Sequence, residues 1–204
     1  MKHFLAMKKK VLSRKDLQIL RVIMEKIRIN YSELARELNV SHTAIRKRIN
    51  KMIFENKYVA MIPELNIKNL NFILALVFLE VATDTDLNKL LLRFSECPRI
   101  ISIFKVMGEY NLVALVYAEN YKVLDSILGS CMLRTAGEVR RSKVIPIQNI
   151  LMGEYFRIQI PVKKYVNAPC GIKCYECTRL KMKECIGCPS TIYYRGWFAL
   201  EKKN

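Results

Sequence analysis

The sequence predicts an α+β protein with three parts: a helix-turn-helix unit over residues 1–62, a ferredoxin-like βαββαβ unit over 63–150, and a small Cys-rich metal module over 151–204. Three observations predict this. Residues 14–58 hold three short apolar stripes, each opened by a capping signal. Residues 72–147 alternate between strand-like and helix-like patterns. Five of the seven cysteines fall between positions 170 and 188.

In the first part, Ser13 stands three residues before Asp16, and Leu17, Leu20, Met24 and Ile27 follow as one expected inward stripe. Asn30 stands three residues before Glu33 and opens a shorter helix with Leu34, Ala35 and Leu38 on one face. Asn39-Val40 makes the turn, and Ser41 caps a third helix that turns Ile45, Ile49 and Met52 inward. His42, Thr43, Arg46, Lys47 and Asn50 are then left outward. With Ser41 and Arg48 they form the candidate DNA-binding set. A cationic, hydrogen-bonding helix face is what reading base edges in the major groove of double-stranded DNA requires.

The charge distribution agrees with this reading. Residues 1–58 hold 15 Lys and Arg against 5 Asp and Glu, a net of +10. Residues 59–148 hold 10 against 9, and residues 149–204 hold 10 against 4, so the net values there are +1 and +6. Basic ends can displace counterions from a phosphate backbone; a neutral middle has no such use. A Lys8-Lys9-Lys10 arm precedes the first helix. The first residues carry no apolar stretch of signal-peptide length, and the longest apolar run, Phe72 to Leu79, is far short of a membrane span. The expectation is a cytoplasmic protein with no membrane partner.

In the second part, Phe72–Leu79 is apolar on both alternating faces, as in a strand buried on both sides or a buried helix; its β-rich flanks and short length favour the strand. Asp84 and Asp86 introduce a helix with Leu87, Leu90, Leu91 and Phe94 inward, broken by Pro98. Strands are expected at Ile100–Val106 and Leu112–Tyr117, around the turn Gly108-Glu109-Tyr110-Asn111. A second helix follows over Tyr121–Met132, then a basic strand over Val139–Ile147. This is the split βαβ order, with both helices on one face of the sheet. The other face needs a cover, and self-association is the economical one, giving a homodimer or higher oligomer.

Over about residues 13–150 the chain resembles the Lrp/AsnC (feast/famine) family of transcription regulators. The resemblance is carried by Asp16–Leu20, by Arg28–Ala35, by Ser41 through Arg48 to Met52, and by Met107-Gly108-Glu109-Tyr110-Asn111-Leu112. It implies a winged-type helix-turn-helix followed by a ligand-sensing domain that dimerises through its sheets. It also implies that a small-molecule effector, an amino acid or related metabolite, binds near Gly108, Glu109, Tyr110 and Asn111. Two positions depart from the family pattern: Asn56 replaces a Gly after the third helix, and Asn111 replaces an Asp. A neutral amide pairs less strongly than a carboxylate with an ammonium group.

The tail lies outside that resemblance. Its cysteines read Cys170-x3-Cys174-x2-Cys177-x7-Cys185-x2-Cys188. Two Cys-x-x-Cys knuckles this close can wrap one tetrahedral ion, so the five are candidate metal ligands, with Zn2+ ahead of an iron–sulfur cluster. Cys174, Cys177, Cys185 and Cys188 are the symmetric choice, with Cys170 as a spare. Cys170, Cys174 and Cys177 also match a radical S-adenosylmethionine spacing, but the barrel that chemistry needs is missing. Cys97 and Cys131 read as ordinary core residues. The aromatic and basic stretch Ile192–Phe198 could stack on nucleic acid, but it is expected to pack over the knuckles, which have little other core.

Function then divides between classes. The first is a non-enzymatic, sequence-specific DNA-binding regulator with a metal-stabilised tail, and a metal- or redox-sensing regulator is its variant. The second is an enzyme like the sirohaem decarboxylases that share the Lrp/AsnC fold. Such chemistry is expected to use histidines near its substrate, and this chain has only His3 and His42. No triad or paired-carboxylate constellation stands out. The regulator reading leads.

Overall fold

The computed structural model describes residues 12–25, 30–55, 58–131 and 133–199. His3, the Lys8–Lys10 arm, Ile27, Arg28, Asn56 and Met132 lie outside the described residues. The chain divides into two compact units, Met1–Ile62 and Pro63–Asn204.

The first unit holds α1 (Arg14–Glu25), α2 (Tyr31–Glu37) and α3 (His42–Asn50), the last running on into a π-helical turn over Lys51–Glu55. Each start is set by a side chain. The Asp16 N–H donates to Ser13 Oγ at 3.2 Å while the Ser13 N–H donates to Asp16 Oδ2 at 3.0 Å, a reciprocal capping box. Asn30 Oδ1 accepts from the N–H groups of Ser32 and Glu33, and Ser41 Oγ from that of Ala44. Asn39, at φ +50°, makes the tight turn between α2 and α3. The core is Ile19, Val22, Leu34, Ala35, Ile45, Ile49 and Met52.

The stripe expected on α1 is out of phase. Leu17 and Met24 are 46% and 85% exposed, while Ile19 and Val22 are buried. Ile19 and Val22 pack with Leu34, Ile45 and Ile49, and burying them outweighs an exposed stripe at Leu17 and Met24. Asp16 Oδ1 meets Arg48 Nη1 of α3 at 3.1 Å, a contact compatible with that phase. The wing implied by the resemblance is also missing here: among the described residues the first unit has helices and turns but no strand.

The second unit begins with β1 (Leu65–Asn66) and continues β2 (Ile73–Val81), α4 (Asp84–Phe94), β3 (Ile100–Lys105), β4 (Leu112–Ala118), α5 (Tyr121–Ser130), β5 (Val139–Pro146), β6 (Tyr155–Phe156) and α6 (Thr178–Lys181). Four strands form an antiparallel sheet in the order β3-β4-β2-β5, and β1 pairs with β6 as a separate ribbon. The first long strand thus lies in the middle, as a split βαβ fold places it. The α4 cap is Thr83, not the aspartates: its Oγ1 accepts from the Asp86 N–H at 3.1 Å.

β2 is apolar on both faces because one face is covered along its length and the other at one end. Ala75, Val77, Leu79 and Val81 pack with Leu90 and Phe94 of α4 and Val123, Leu124 and Ile127 of α5. On the other face Phe72, Leu74 and Tyr117 pack with Ile158, Ile147, Ile150, Phe156 and Phe198. Burial of this kind contributes about 1.5–3 kcal/mol per large side chain. The chain's own later residues therefore cover one end of the face that was expected to await a partner. The other end stays open: Phe104 and Ile145 are 54% and 41% exposed, beside half-buried Leu76 and Phe78.

Candidate nucleic-acid interface and cysteine chamber

Ile45 and Ile49 of α3 are buried to within 1% in the first unit's core, which fixes the helix by its back. On its front, His42, Thr43, Arg46, Lys47 and Asn50 are exposed. His42 stands edge-on to Tyr31 of α2, with ring centroids 5.8 Å apart. Two of the seven expected residues have structural work. Ser41 is the cap, its hydroxyl also 3.1 Å from Thr43 Oγ1. Arg48 is half-buried on Asp16 and 3.5 Å from Ser13 Oγ. Burial pushes the Asp16 carboxyl up, but the Ser13 hydroxyl and amide and the Arg48 guanidinium outweigh it and hold the pKa below the usual value.

The hairpin residues come together at the β3–β4 corner. Gly108 has φ +150°, a conformation that favours glycine. Asn111 pairs both ends of its amide with the backbone of one residue: Oδ1 accepts from the Val81 N–H at 2.9 Å, and Nδ2 donates to the Val81 carbonyl at 2.7 Å. A carboxylate could make only the first of these bonds, which gives Asn a physical role where the family pattern has Asp. Glu109 meets Arg141 Nη1 at 2.9 Å, and Arg141 also reaches Glu80 at 3.0 Å and lies over the Tyr110 ring. Glu109, Tyr110 and Arg141 thus form a polar rim beside the open end of the sheet.

The five tail cysteines meet in one place. Cys174 opens a 3-10 turn, Cys177 stands at the start of α6, and Cys185-Ile186-Gly187-Cys188 forms a tight knuckle. Gly187 holds φ +88° there, and its N–H donates to Cys185 Sγ at 3.4 Å. These cysteines and Cys170 line an enclosed apolar cavity of about 40 Å3 against Phe94, Ile127 and Leu180. Cys97 and Cys131, expected to be ordinary core residues, line the same cavity. Cys97 follows the end of α4 and Cys131 caps α5, so both helix ends deliver a thiol to the tail. That convergence has no sequence signal, because the two stand far from each other and from the knuckles.

All seven cysteines are free thiols. Burial pushes Cys97 up to about 11 and Cys188 up to about 12, so without a bound cation they stay protonated at neutral pH. Among the described residues no three His, Cys, Asp or Glu side chains stand close enough to hold one metal ion.

The tail is tied to the sheet unit by polar bonds, those of Arg99 among them buried. Arg99, 3% exposed, donates from Nη1 to Glu119 Oε2 at 2.6 Å and from Nη2 to the Gly187 carbonyl at 3.0 Å. Tyr194 donates to Glu119 Oε1 at 2.7 Å. Ser126 of α5 donates to the Glu184 carbonyl, and Arg179 reaches Asp125 at 2.6 Å. The aromatic stretch is shared out: Tyr194 packs against the knuckle, Phe198 stands edge-on to Phe72 across the sheet, and Trp197 is 68% exposed.

Comparison with known proteins gives a consistent result. The AsnC-type helix-turn-helix domain matches residues 12–53. The HTH-type transcriptional regulator Ptr1 of Methanocaldococcus jannaschii is 29% identical over 122 residues, 58% of this chain and 80% of that protein. The HTH-type transcriptional regulator LysM of Saccharolobus solfataricus is 26% identical over 125 residues, 61% and 81% of the two chains. Among solved structures, E. coli AsnC superposes with a TM-score of 0.62 at 18% identity over 70% of this chain and 96% of its own. A feast or famine regulatory protein of M. tuberculosis, complexed with L-methionine, gives 0.60 at 22% identity over 74% of this chain and all of its own. Residues 12–53 are therefore an AsnC-type helix-turn-helix domain, and about 70% of the chain carries the fold of the Lrp/AsnC regulators.

Proposed function

We propose that this protein is a sequence-specific, DNA-binding transcriptional regulator of the Lrp/AsnC type, acting in the cytoplasm as a homodimer or higher oligomer. The observation that carries the reading is α3: a capped helix, anchored by Ile45 and Ile49, that offers His42, Thr43, Arg46, Lys47 and Asn50 to solvent. The names of the relatives support it. No helix among the described residues is long and apolar enough to cross a membrane. The rim at Gly108–Asn111 is the site for a small effector, and the L-methionine complex of the mycobacterial protein supports an amino acid. Because the amide of Asn111 is bonded to Val81, Glu109 and Tyr110 are the groups left to meet it. The chain carries out no catalysis in this reading.

The tail binds metal through its thiols, as its two knuckles and the N–H···S bond at Cys185 support. The metal completes its folding, since most of its other fastening is polar.

The test is a gel shift on the protein's own promoter region across a salt series. Binding that is sequence-selective and weakens steeply with salt is the expected result. Equal affinity for operator and random duplex overturns the reading.

A further inference from the structure

We propose that the seven-cysteine cavity is the seat of an iron–sulfur cluster, ligated from both the tail and the sheet unit, with Cys97 among its ligands. The inference deepens the metal reading of the tail and is independent of DNA binding.

Four observations carry it. The first is number: a tetrahedral ion and an iron–sulfur cluster alike take four thiolates, and seven cysteines line this one cavity. The second is spacing. Zn–S bonds of about 2.3 Å bring the sulfurs of one site into near contact. Here seven cysteines, from two helix ends and from the tail, line one cavity of about 40 Å3. A cluster of several irons and sulfides fills such a space and holds its terminal thiolates further apart.

The third observation concerns Cys97. It stands in the turn after α4, its carbonyl accepting from the Ile100 N–H at 3.2 Å, and it lines the cavity with the tail cysteines although it belongs to no Cys-x-x-Cys pair. At Cys185 the Gly187 N–H donates to the sulfur at 3.4 Å, the kind of donor that favours a thiolate.

The fourth is Arg99, which lines the cavity at 3% exposure with its Nε hydrogen lacking any acceptor. Its charge is already paired with Glu119, so what remains is one buried N–H donor, which a thiolate or sulfide in the cavity would satisfy. The apolar lining shields such a group from water. Because Cys97 follows α4 and Cys131 caps α5, assembly or loss of the cluster acts on two helix ends of the sheet unit.

The experiment uses the full chain, purified without oxygen and reconstituted with iron and sulfide, beside Cys97→Ser and Cys174→Ser. Iron, acid-labile sulfide and zinc are counted, and visible absorption and electron paramagnetic resonance are recorded. The expected result is iron with matching sulfide and a broad visible absorption. That absorption should fall by more than half, or the resonance shift, in both variants. Circular dichroism checks folding, and Cys97→Asp, which offers an oxygen ligand, should shift the resonance if Cys97→Ser does not fold. One colourless zinc ion per chain, unchanged by Cys97→Ser, overturns the cluster and leaves the metal reading standing. No metal retained under either condition overturns both. A cluster whose signals are identical in all Cys97 variants overturns the role of Cys97.

Discussion

Arg46 and Lys47 are neighbours on the exposed face of α3, yet their expected effects on DNA differ. Arg46→Ala should cost about 1–3 kcal/mol of specific binding by removing a two-pronged base contact. Lys47→Ala should weaken all sequences alike and reduce the salt slope by about 1. Titrations of operator and random duplex separate the two, and a double variant that binds its operator unchanged removes α3 from the interface. Asp16 makes a different forecast. Its pKa is lower in the folded unit than in the unfolded chain, so its stabilisation is complete above about pH 4 and is lost as pH falls through the folded value. Denaturant midpoints of wild type and Asp16→Asn should differ at pH 7 and converge in acid. A constant difference down to pH 2 sinks this account.

At the scale of elements, the knuckle over residues 185–188 is held by backbone more than by side-chain packing. Gly187 has φ +88°, and a Cβ there would stand 2.8 Å from the Tyr193 carbonyl oxygen, a backbone atom with little room to yield. Gly187→Ala should therefore detach the knuckle from the strand ends, read as faster proteolysis of the tail while the sheet unit persists. The Arg99–Glu119 pair, 3% and 5% exposed, is the other fastening. Arg99→Met would leave a buried carboxylate without its cation, at about 3–5 kcal/mol in unfolding free energy. A change below about 1 kcal/mol, the scale of an exposed pair, would show that Glu119 finds water.

For the molecule as a whole, the proposed homodimer turns on the open end of the sheet. Leu76, Phe78, Phe104 and Ile145 leave an apolar patch beside the rim of Glu109, Tyr110 and Arg141. A second copy seated there would bury it, and a homodimer then presents two copies of α3 to a near-palindromic operator. Phe104→Glu should shift sedimentation at micromolar concentration from dimer toward monomer. A wild-type monomer under those conditions defeats the proposal. The patch is smaller than β2 alone suggests, because Ile147, Ile150, Ile158 and Phe198 already cover the end at Leu74 and Tyr117.

The sequence by itself determined the local grammar. The caps at Ser13, Asn30 and Ser41 and the strand-helix order of the sheet unit could be read from it, because each depends on neighbours a few residues apart. The exposed face of α3 was legible for the same reason: it is the remainder once Ile45 and Ile49 are placed inside. Contacts between distant residues were decided only by the tertiary structure. The phase of α1 follows from Ile19 and Val22 meeting Leu34, Ile45 and Ile49 of the other two helices, and a helical wheel cannot choose between two adjacent apolar stripes. That the tail covers part of the sheet depends on Phe198 reaching Phe72. The cysteine chamber depends on it most. Its tail half is a spacing pattern, but Cys97 and Cys131 join it only because the sheet order carries the ends of α4 and α5 to the place where the tail packs.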